Sequence, residues 1–324
     1  MIDHGGNLDV ARARFGGELA DWIDLSTGIN RLPYPVPELP LHHWQALPSR
    51  AAIEALHKAA REAYRTTAPL LATAGAQAAI QMLPLLAPPG SARILGPTYG
   101  EFDHVLCGAG WSVEAVSDLD ALAGADLAVV VNPNNPDGQR HHPDALLALA
   151  GRVGRLVVDE SFVDATPELS LAAQAGRKGL LILRSFGKFY GLAGIRLGFV
   201  LGGEVDIAAL ARRAGPWPVS GLAIEIGRAA LSDRSWARET RMRLFRDAAR
   251  LDELAQTTGW KLIGGTPLFR LYEVSDGLLI QERLARARIW SRVFKDRPSW
   301  LRLGLPGEEA EWQRLAAALS GQRK

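Results

Sequence analysis

The chain reads as an α/β protein: a large domain with a mostly parallel central sheet flanked by helices, followed by a smaller C-terminal α+β domain. Three observations predict this. Between about Leu70 and Gly202, short apolar runs alternate with Ala/Leu-rich stretches of helical length, the pattern of strands buried on both faces and joined by crossover helices. Polar residues of chemically useful type fall just after those runs, at the strand ends where open α/β sheets collect ligands. The chain has 324 residues, a size at which one core usually gives way to two domains.

In chain order, the apolar runs predict strands at 92–95, 127–131, 156–158, 180–183 and 197–201. Segments 77–86, 143–153 and 169–177 have the length and composition of crossover helices. After Pro216-Trp217-Pro218 the pattern changes to a long helical region at 221–258, then to shorter strand-like pieces and a final helix at 308–319. A proline-rich break followed by a change of pattern is a domain boundary. The expected division is therefore an N-terminal arm at 1–40, a large domain at 41–215 and a small domain at 216–324.

Composition narrows the function classes. A hydrophobic share of 48%, a charged share of 22% and a formal net charge of +2 are ordinary for a globular enzyme and give no reason to expect nucleic acid or an acidic membrane as partner. Arg238, Arg241, Arg243, Arg246 and Arg250 alternate with Glu239, Asp247, Asp252 and Glu253, which predicts a solvated helix with local ion pairs. Cys107 is the single cysteine and sits in Val-Leu-Cys-Gly-Ala, so it reads as a small buried hydrophobe in a reducing cytoplasm. The first residues lack a basic stretch followed by an apolar one, and no run approaches a membrane span. A cytoplasmic protein without membrane contact or metal is expected.

The chemistry is concentrated in Ser185-Phe186-Gly187-Lys188 and the following Gly191-Leu192-Ala193-Gly194-Ile195-Arg196-Leu197-Gly198. A lysine just past an apolar strand, with a serine three residues before it and an arginine eight after, suits covalent retention of pyridoxal 5'-phosphate. Lys188 is expected to form the Schiff base, and Ser185 and Arg196 to hold the phosphate. Upstream, Thr73-Ala74-Gly75-Ala76-Gln77 enters a helix whose free N–H groups and dipole suit a phosphate. Pro97-Thr98-Tyr99 places an aromatic ring at a strand end, and Asn132-Pro133-Asn134-Asn135-Pro136 follows another strand. Asp159 closes a buried strand, where a carboxylate without a partner is costly; a protonated pyridine nitrogen is the expected partner.

In this order and at these intervals, the motifs resemble fold-type I pyridoxal-phosphate enzymes of the aminotransferase superfamily over nearly the whole chain. The resemblance implies that Gly75, Ala76 and Gln77 form the phosphate cup, that Tyr99 stacks on the pyridine ring, that Asn135 donates a hydrogen bond to the phenolic oxygen, and that the enzyme is a homodimer. His4-Gly5-Gly6-Asn7 and Asp24-Leu25-Ser26-Thr27-Gly28-Ile29-Asn30 further resemble the N-terminus of threonine-phosphate decarboxylases of cobalamin biosynthesis, close relatives of histidinol-phosphate aminotransferases. The first of these stretches suits a small oxyanion-binding turn. Substrate contacts are accordingly expected from His4, Gly5, Gly6, Asn7 and Asn30. In Trp300-Leu301-Arg302-Leu303-Gly304, Arg302 matches the family's arginine for the substrate α-carboxylate, with Arg292 a second anion ligand.

Two departures from the superfamily pattern matter. Phe162 stands where aminotransferases often carry a tyrosine that bonds the cofactor, which favours the decarboxylase. Leu47 stands where many relatives carry a tyrosine reaching the neighbouring subunit's cofactor phosphate. The implied activity is decarboxylation of L-threonine O-3-phosphate to (R)-1-aminopropan-2-yl phosphate. Histidinol-phosphate aminotransferase is the alternative, and a catalytically silent binding protein on the same fold a more distant one.

Overall fold

The structure is a computed structural model and describes residues 5–320. Backbone contacts divide the chain into two compact units: one gathers the chain up to Pro33, Pro136–Gln139 and the chain from Glu239 onward, and the other comprises Tyr34–Asn135 and Arg140–Arg238.

The larger unit is built on a seven-stranded sheet of β1 (Leu70–Thr73), β2 (Ser91–Leu95), β3 (Ser112–Val116), β4 (Leu127–Val131), β5 (Arg155–Asp159), β6 (Leu180–Ser185) and β7 (Gly198–Leu201), in the order β1-β7-β6-β5-β4-β2-β3. The pairs among β3, β2, β4, β5 and β6 are parallel, whereas β7 runs antiparallel to both β6 and β1. The central strands β4, β5 and β6 are almost wholly buried, which is why they read as continuous apolar runs rather than as alternation. β3 lies outside the expected set because it is an edge strand whose Ser112, Glu114 and Ala115 are exposed.

Two sequence expectations fail in this unit. Segment 169–177 is not an α-helix but part of two short 3-10 turns, Pro167–Leu169 and Ala172–Gln174. The buried Glu160 carboxylate accepts from the Leu171 N–H at 2.6 Å and from Ser170 Oγ at 2.6 Å, and such side-chain capture of local donors competes with helix formation. Cys107 is exposed rather than buried. Its helix, Glu101–Gly108, turns Phe102 and Leu106 into the core, one turn apart, which leaves Cys107 on the outer face.

The long helical region expected at 221–258 breaks at Asp233 into Gly221–Ser232 and Arg234–Gln256. The Asp233 carboxylate accepts from the Trp236 N–H at 2.9 Å and so caps the second helix. Compactness also divides the chain elsewhere than expected: residues 216–238 belong to the larger unit, and the chain up to Pro33 belongs with the C-terminal unit. The reason for the latter is a two-residue parallel pairing of Ile23–Asp24 with Ile289–Trp290, backed by edge-on packing of Phe15 and Trp290 against Trp22 at 6.3–6.5 Å between ring centroids.

The second unit carries a four-stranded antiparallel sheet of β8 (Lys261–Thr266), β9 (Phe269–Glu273), β10 (Arg292–Phe294) and β11 (Arg297–Gly304), in the order β10-β11-β9-β8. Helices Gly277–Arg286 and Glu309–Ser320 pack with each other, and the first also lies against β11. Arg243 pairs with Asp247 one turn on at 3.0 Å, a local ion pair of the kind the charge pattern predicts, while Arg250 reaches the final helix in a two-point contact with Glu309. Among the described residues no helix is long and apolar enough to cross a membrane, and no group of three or more metal-ligating side chains is present.

Candidate active site

Six segments of the larger unit converge on a cavity of about 200 Å3 at the carboxyl ends of its parallel strands. Gly75, Ala76, Gln77, Tyr99, Asn135, Asp159, Ser185, Lys188 and Arg196, the residues expected to bind the cofactor, all line it. So do Ser161 and Phe162.

One end is built for an anion. The helix Gly75–Met82 begins at the end of β1, with no side chain capping its first amides. Gly75 has φ +74°, and a Cβ there would come within 2.6 Å of an Arg196 guanidinium nitrogen. Arg196 is itself held in the left-handed region at φ 53°, ψ 57°, a conformation retained only where the surroundings over-determine it. A guanidinium therefore sits against free helix N-terminal amides, across a gap that only glycine leaves. Gly75→Ala is expected to cost about 1–2 kcal/mol of stability from left-handed backbone and, because its Cβ displaces the Arg196 guanidinium, to weaken cofactor binding, as read by titrating the cofactor-free protein with pyridoxal phosphate.

The wall beside the cradle is braced by hydrogen bonds invisible in sequence. The Tyr99 hydroxyl donates to Gln77 Oε1 at 3.2 Å, and Gln77 Nε2 donates to Glu101 Oε2 at 2.7 Å. The Gln77 side chain is thus engaged with Tyr99 and Glu101, leaving its backbone as the part suited to the phosphate. Burial first, then Glu101 and Asp159, push the Tyr99 phenol up to about 12 against the opposing Arg196, so it is neutral at physiological pH. Among the three asparagines of the Asn-Pro loop, Asn132 exchanges two hydrogen bonds with the His141 backbone, and Asn134 donates to the Pro97 carbonyl at 2.9 Å while accepting from Thr98 Oγ1 at 2.6 Å. These two clamp the loop, and Asn135 is the one lining the cavity.

Asp159 lies at the end of β5, 3% exposed, and lines the same cavity. Its Oδ1 accepts from both Ser161 N, at 2.9 Å, and Ser161 Oγ, at 2.5 Å. Burial raises the carboxyl above the usual range, while the Ser161 bonds and the Lys188 charge pull it back only in part. Beneath, buried Arg184 holds Glu160 at 3.0 Å and also bonds Asp164, which fixes the segment following Asp159. Lys188 lies in the short turn Phe186–Phe189 after β6, with Nζ 5.7 Å from the centre of the Phe162 ring. The anion cradle, the lysine, the buried carboxylate and a flanking aromatic ring fit pyridoxal 5'-phosphate.

The substrate-binding expectations fall in the other unit, except that His4 lies outside the described residues. Arg302 is 7% exposed; its Nη2 donates to the Ser26 carbonyl at 2.7 Å, and its guanidinium lies 5.1 Å from the centre of the Phe269 ring. Arg292 is its direct cross-strand partner. Like charges placed opposite one another cost stability, and burial together with Arg292 lowers the Arg302 guanidinium to about 10 against the pull of Asp24. Asn30 is buried, and its Oδ1 accepts from Arg243 at 2.8 Å and from the Leu32 N–H. Asn7 occupies the N-cap position of Leu8–Phe15 without a side-chain capping bond.

The chain is similar to proteins of known name and fold. The profile of the family described as aminotransferase class I and II matches residues 41–319. A protein of Sinorhizobium named threonine-phosphate decarboxylase is 46% identical over 98% of both chains. One of the same name from Pseudomonas aeruginosa is 44% identical over 99% of this chain and 98% of its own. A histidinol-phosphate aminotransferase from Sinorhizobium meliloti, solved in complex with pyridoxal-5'-phosphate, superposes with a TM-score of 0.82 over 97% of this chain and 93% of its own at 20% identity, a likeness of fold.

Proposed function

Because the chain belongs to the family of class I and II aminotransferases, we propose that it uses pyridoxal 5'-phosphate to decarboxylate L-threonine O-3-phosphate, giving (R)-1-aminopropan-2-yl phosphate and carbon dioxide, the aminopropanol unit of the cobalamin side chain. The observation that carries the reading is identity of 44–46% over nearly the full length with relatives that bear the name of that reaction. Phe162 in the cavity wall supports it, since a phenyl ring offers the cofactor no hydroxyl.

Bound pyridoxal phosphate supplies an electron-poor ring that accepts the electron pair left when the α-carboxylate departs as carbon dioxide. Arg196, Ser185 and the amides at Gly75–Gln77 hold its phosphate. Lys188 would hold it covalently, and its amine is placed to move a proton at the substrate Cα. Asp159 keeps a proton on the ring nitrogen, Asn135 donates to the phenolic oxygen, and Tyr99 limits tilt of the ring. Arg302, with Arg292 beside it, takes the substrate carboxylate. The glycine turn at Gly5–Gly6 with Asn7, together with Asn30 and His4, takes the substrate phosphate.

The enzyme works as a cytoplasmic homodimer. The support for a second copy is an apolar groove of the larger unit that includes Val36, Leu39, Trp44, Leu47 and Trp217, with Trp44 and Leu47 each 67% exposed. Apolar patches of this kind mark interaction surfaces.

The reading is tested by incubating the cofactor-loaded protein with L-threonine O-3-phosphate and no 2-oxo acid, following carbon dioxide and amine together. Equal release of both over many turnovers is expected. Absence of carbon dioxide, with activity toward histidinol phosphate and 2-oxoglutarate, moves the assignment to the aminotransferase.

A further inference from the structure

Ser26 is 1% exposed and has no place in the chemistry so far, yet its polar atoms are all engaged. Its N–H and its hydroxyl both donate to Asp24 Oδ1, at 2.9 and 2.6 Å. With the hydroxyl proton committed to Asp24, the lone pairs of Oγ are left as acceptors, and the Gly6 N–H donates to them at 2.7 Å. The Ser26 carbonyl accepts from Arg302 Nη2 at 2.7 Å. A Cβ on Gly5 would lie 2.4 Å from that same carbonyl oxygen, so the glycine turn is pressed against the peptide that holds the arginine.

We infer that Ser26 is a positioning residue that ties the glycine turn to Arg302, so that the two anion-binding elements are held at a fixed separation and read a substrate carrying both a carboxylate and a phosphate. The inference rests on the functional reading above for what the two elements bind; the tie itself rests on the contacts. Asp24 completes the device: it fixes the Ser26 hydroxyl and favours the charged form of Arg302. Preorganising two charged contacts in one connected segment reduces the freedom lost on binding.

The test compares Ser26→Ala, Ser26→Thr and the wild-type holoenzyme by amide hydrogen exchange over residues 5–15, and by steady-state kinetics with L-threonine O-3-phosphate and with L-threonine. Loss of one hydrogen bond of about 1–1.5 kcal/mol corresponds to roughly tenfold. Ser26→Ala should speed exchange over 5–15 about tenfold and narrow the preference for the phosphorylated substrate by a similar factor, chiefly through KM. Ser26→Thr, which keeps the hydroxyl, should recover part of both. Since Ser26 is buried, Gly5→Ala provides a second variant that keeps the Ser26 side chain and presses on its carbonyl instead, and it should show the same faster exchange and the same narrowed preference. Unchanged exchange in both Ser26→Ala and Gly5→Ala, or equal losses with both substrates, would overturn the tie. A wild-type protein that releases no carbon dioxide defeats the functional reading instead, and exchange measured with and without inorganic phosphate then decides whether Ser26 holds the turn.

Discussion

Lys188→Ala is expected to lower turnover by at least about a thousandfold and to abolish covalent retention of the cofactor. Among the described residues lining the cavity, Lys188 supplies the only primary amine; the neighbouring Arg196 cannot replace it, because a guanidinium stays protonated and is no nucleophile. The substitution removes two things at once, the amine that captures the cofactor aldehyde and the group that moves a proton at Cα. Positioned proton transfer alone contributes roughly 10²–10⁴-fold. Borohydride reduction followed by peptide mass analysis should find the cofactor on the peptide containing Lys188 in the wild type and on no peptide in the variant. Lys188→Arg separates charge from nucleophilicity: it keeps a cation near Asp159 and should be as inactive as the alanine variant. Because Lys188 is only half-buried, both variants should remain folded within about 1 kcal/mol of wild type. Turnover within tenfold of wild type in Lys188→Ala would remove this lysine from its proposed role.

The parts of this fold that sequence conveys are those whose environment is uniform along the strand. β4, β5 and β6 are buried on both faces and read as apolar runs, and the residues immediately after them reach the cavity because the ends of parallel strands place them there. The edge strand β3 carries Ser112 and Glu114 toward solvent and gives too short an alternation to stand out. Segment 169–177 has helical composition, but its backbone is claimed by Glu160, whose carboxylate bonds Leu171 and Ser170. The braces of the site are long-range or between side chains: Glu101 on Gln77 and Ser26 on both Gly6 and Arg302. No spacing rule signals these contacts. Ser161 is the exception in principle, because a serine two residues after a buried aspartate is placed to bond its carboxylate. The grouping of the N-terminal chain with the C-terminal unit likewise depends on the pairing of Ile23–Asp24 with Ile289–Trp290, strands too short to carry a pattern.

Asp159→Asn should act in opposite directions on activity and on stability. The amide keeps an oxygen that can accept from Ser161 N and Oγ, so the local geometry is spared, but the negative charge that holds a proton on the ring nitrogen is gone. Turnover should fall about 10²–10³-fold, the usual cost of removing one preorganised electrostatic contact, with a smaller change in KM. Stability of the cofactor-free protein follows from linkage. The folded state raises the Asp159 carboxyl above its ordinary value, mainly by burial, so the folded protein holds that proton more tightly than the unfolded chain. Ionisation of this group therefore costs stability as pH rises through the unfolded and then the folded value. At neutral pH the wild type carries that cost in full and the asparagine variant does not. The cofactor-free variant should accordingly melt higher, by about 2 °C for each kcal/mol recovered in a chain of this size, and its advantage should vanish below the ordinary aspartate range near pH ~4. A variant that loses activity and also melts lower at neutral pH would mean that Asp159 serves the fold rather than the cofactor. Higher melting with lost turnover is the pattern of a buried charge retained for chemistry at the expense of stability.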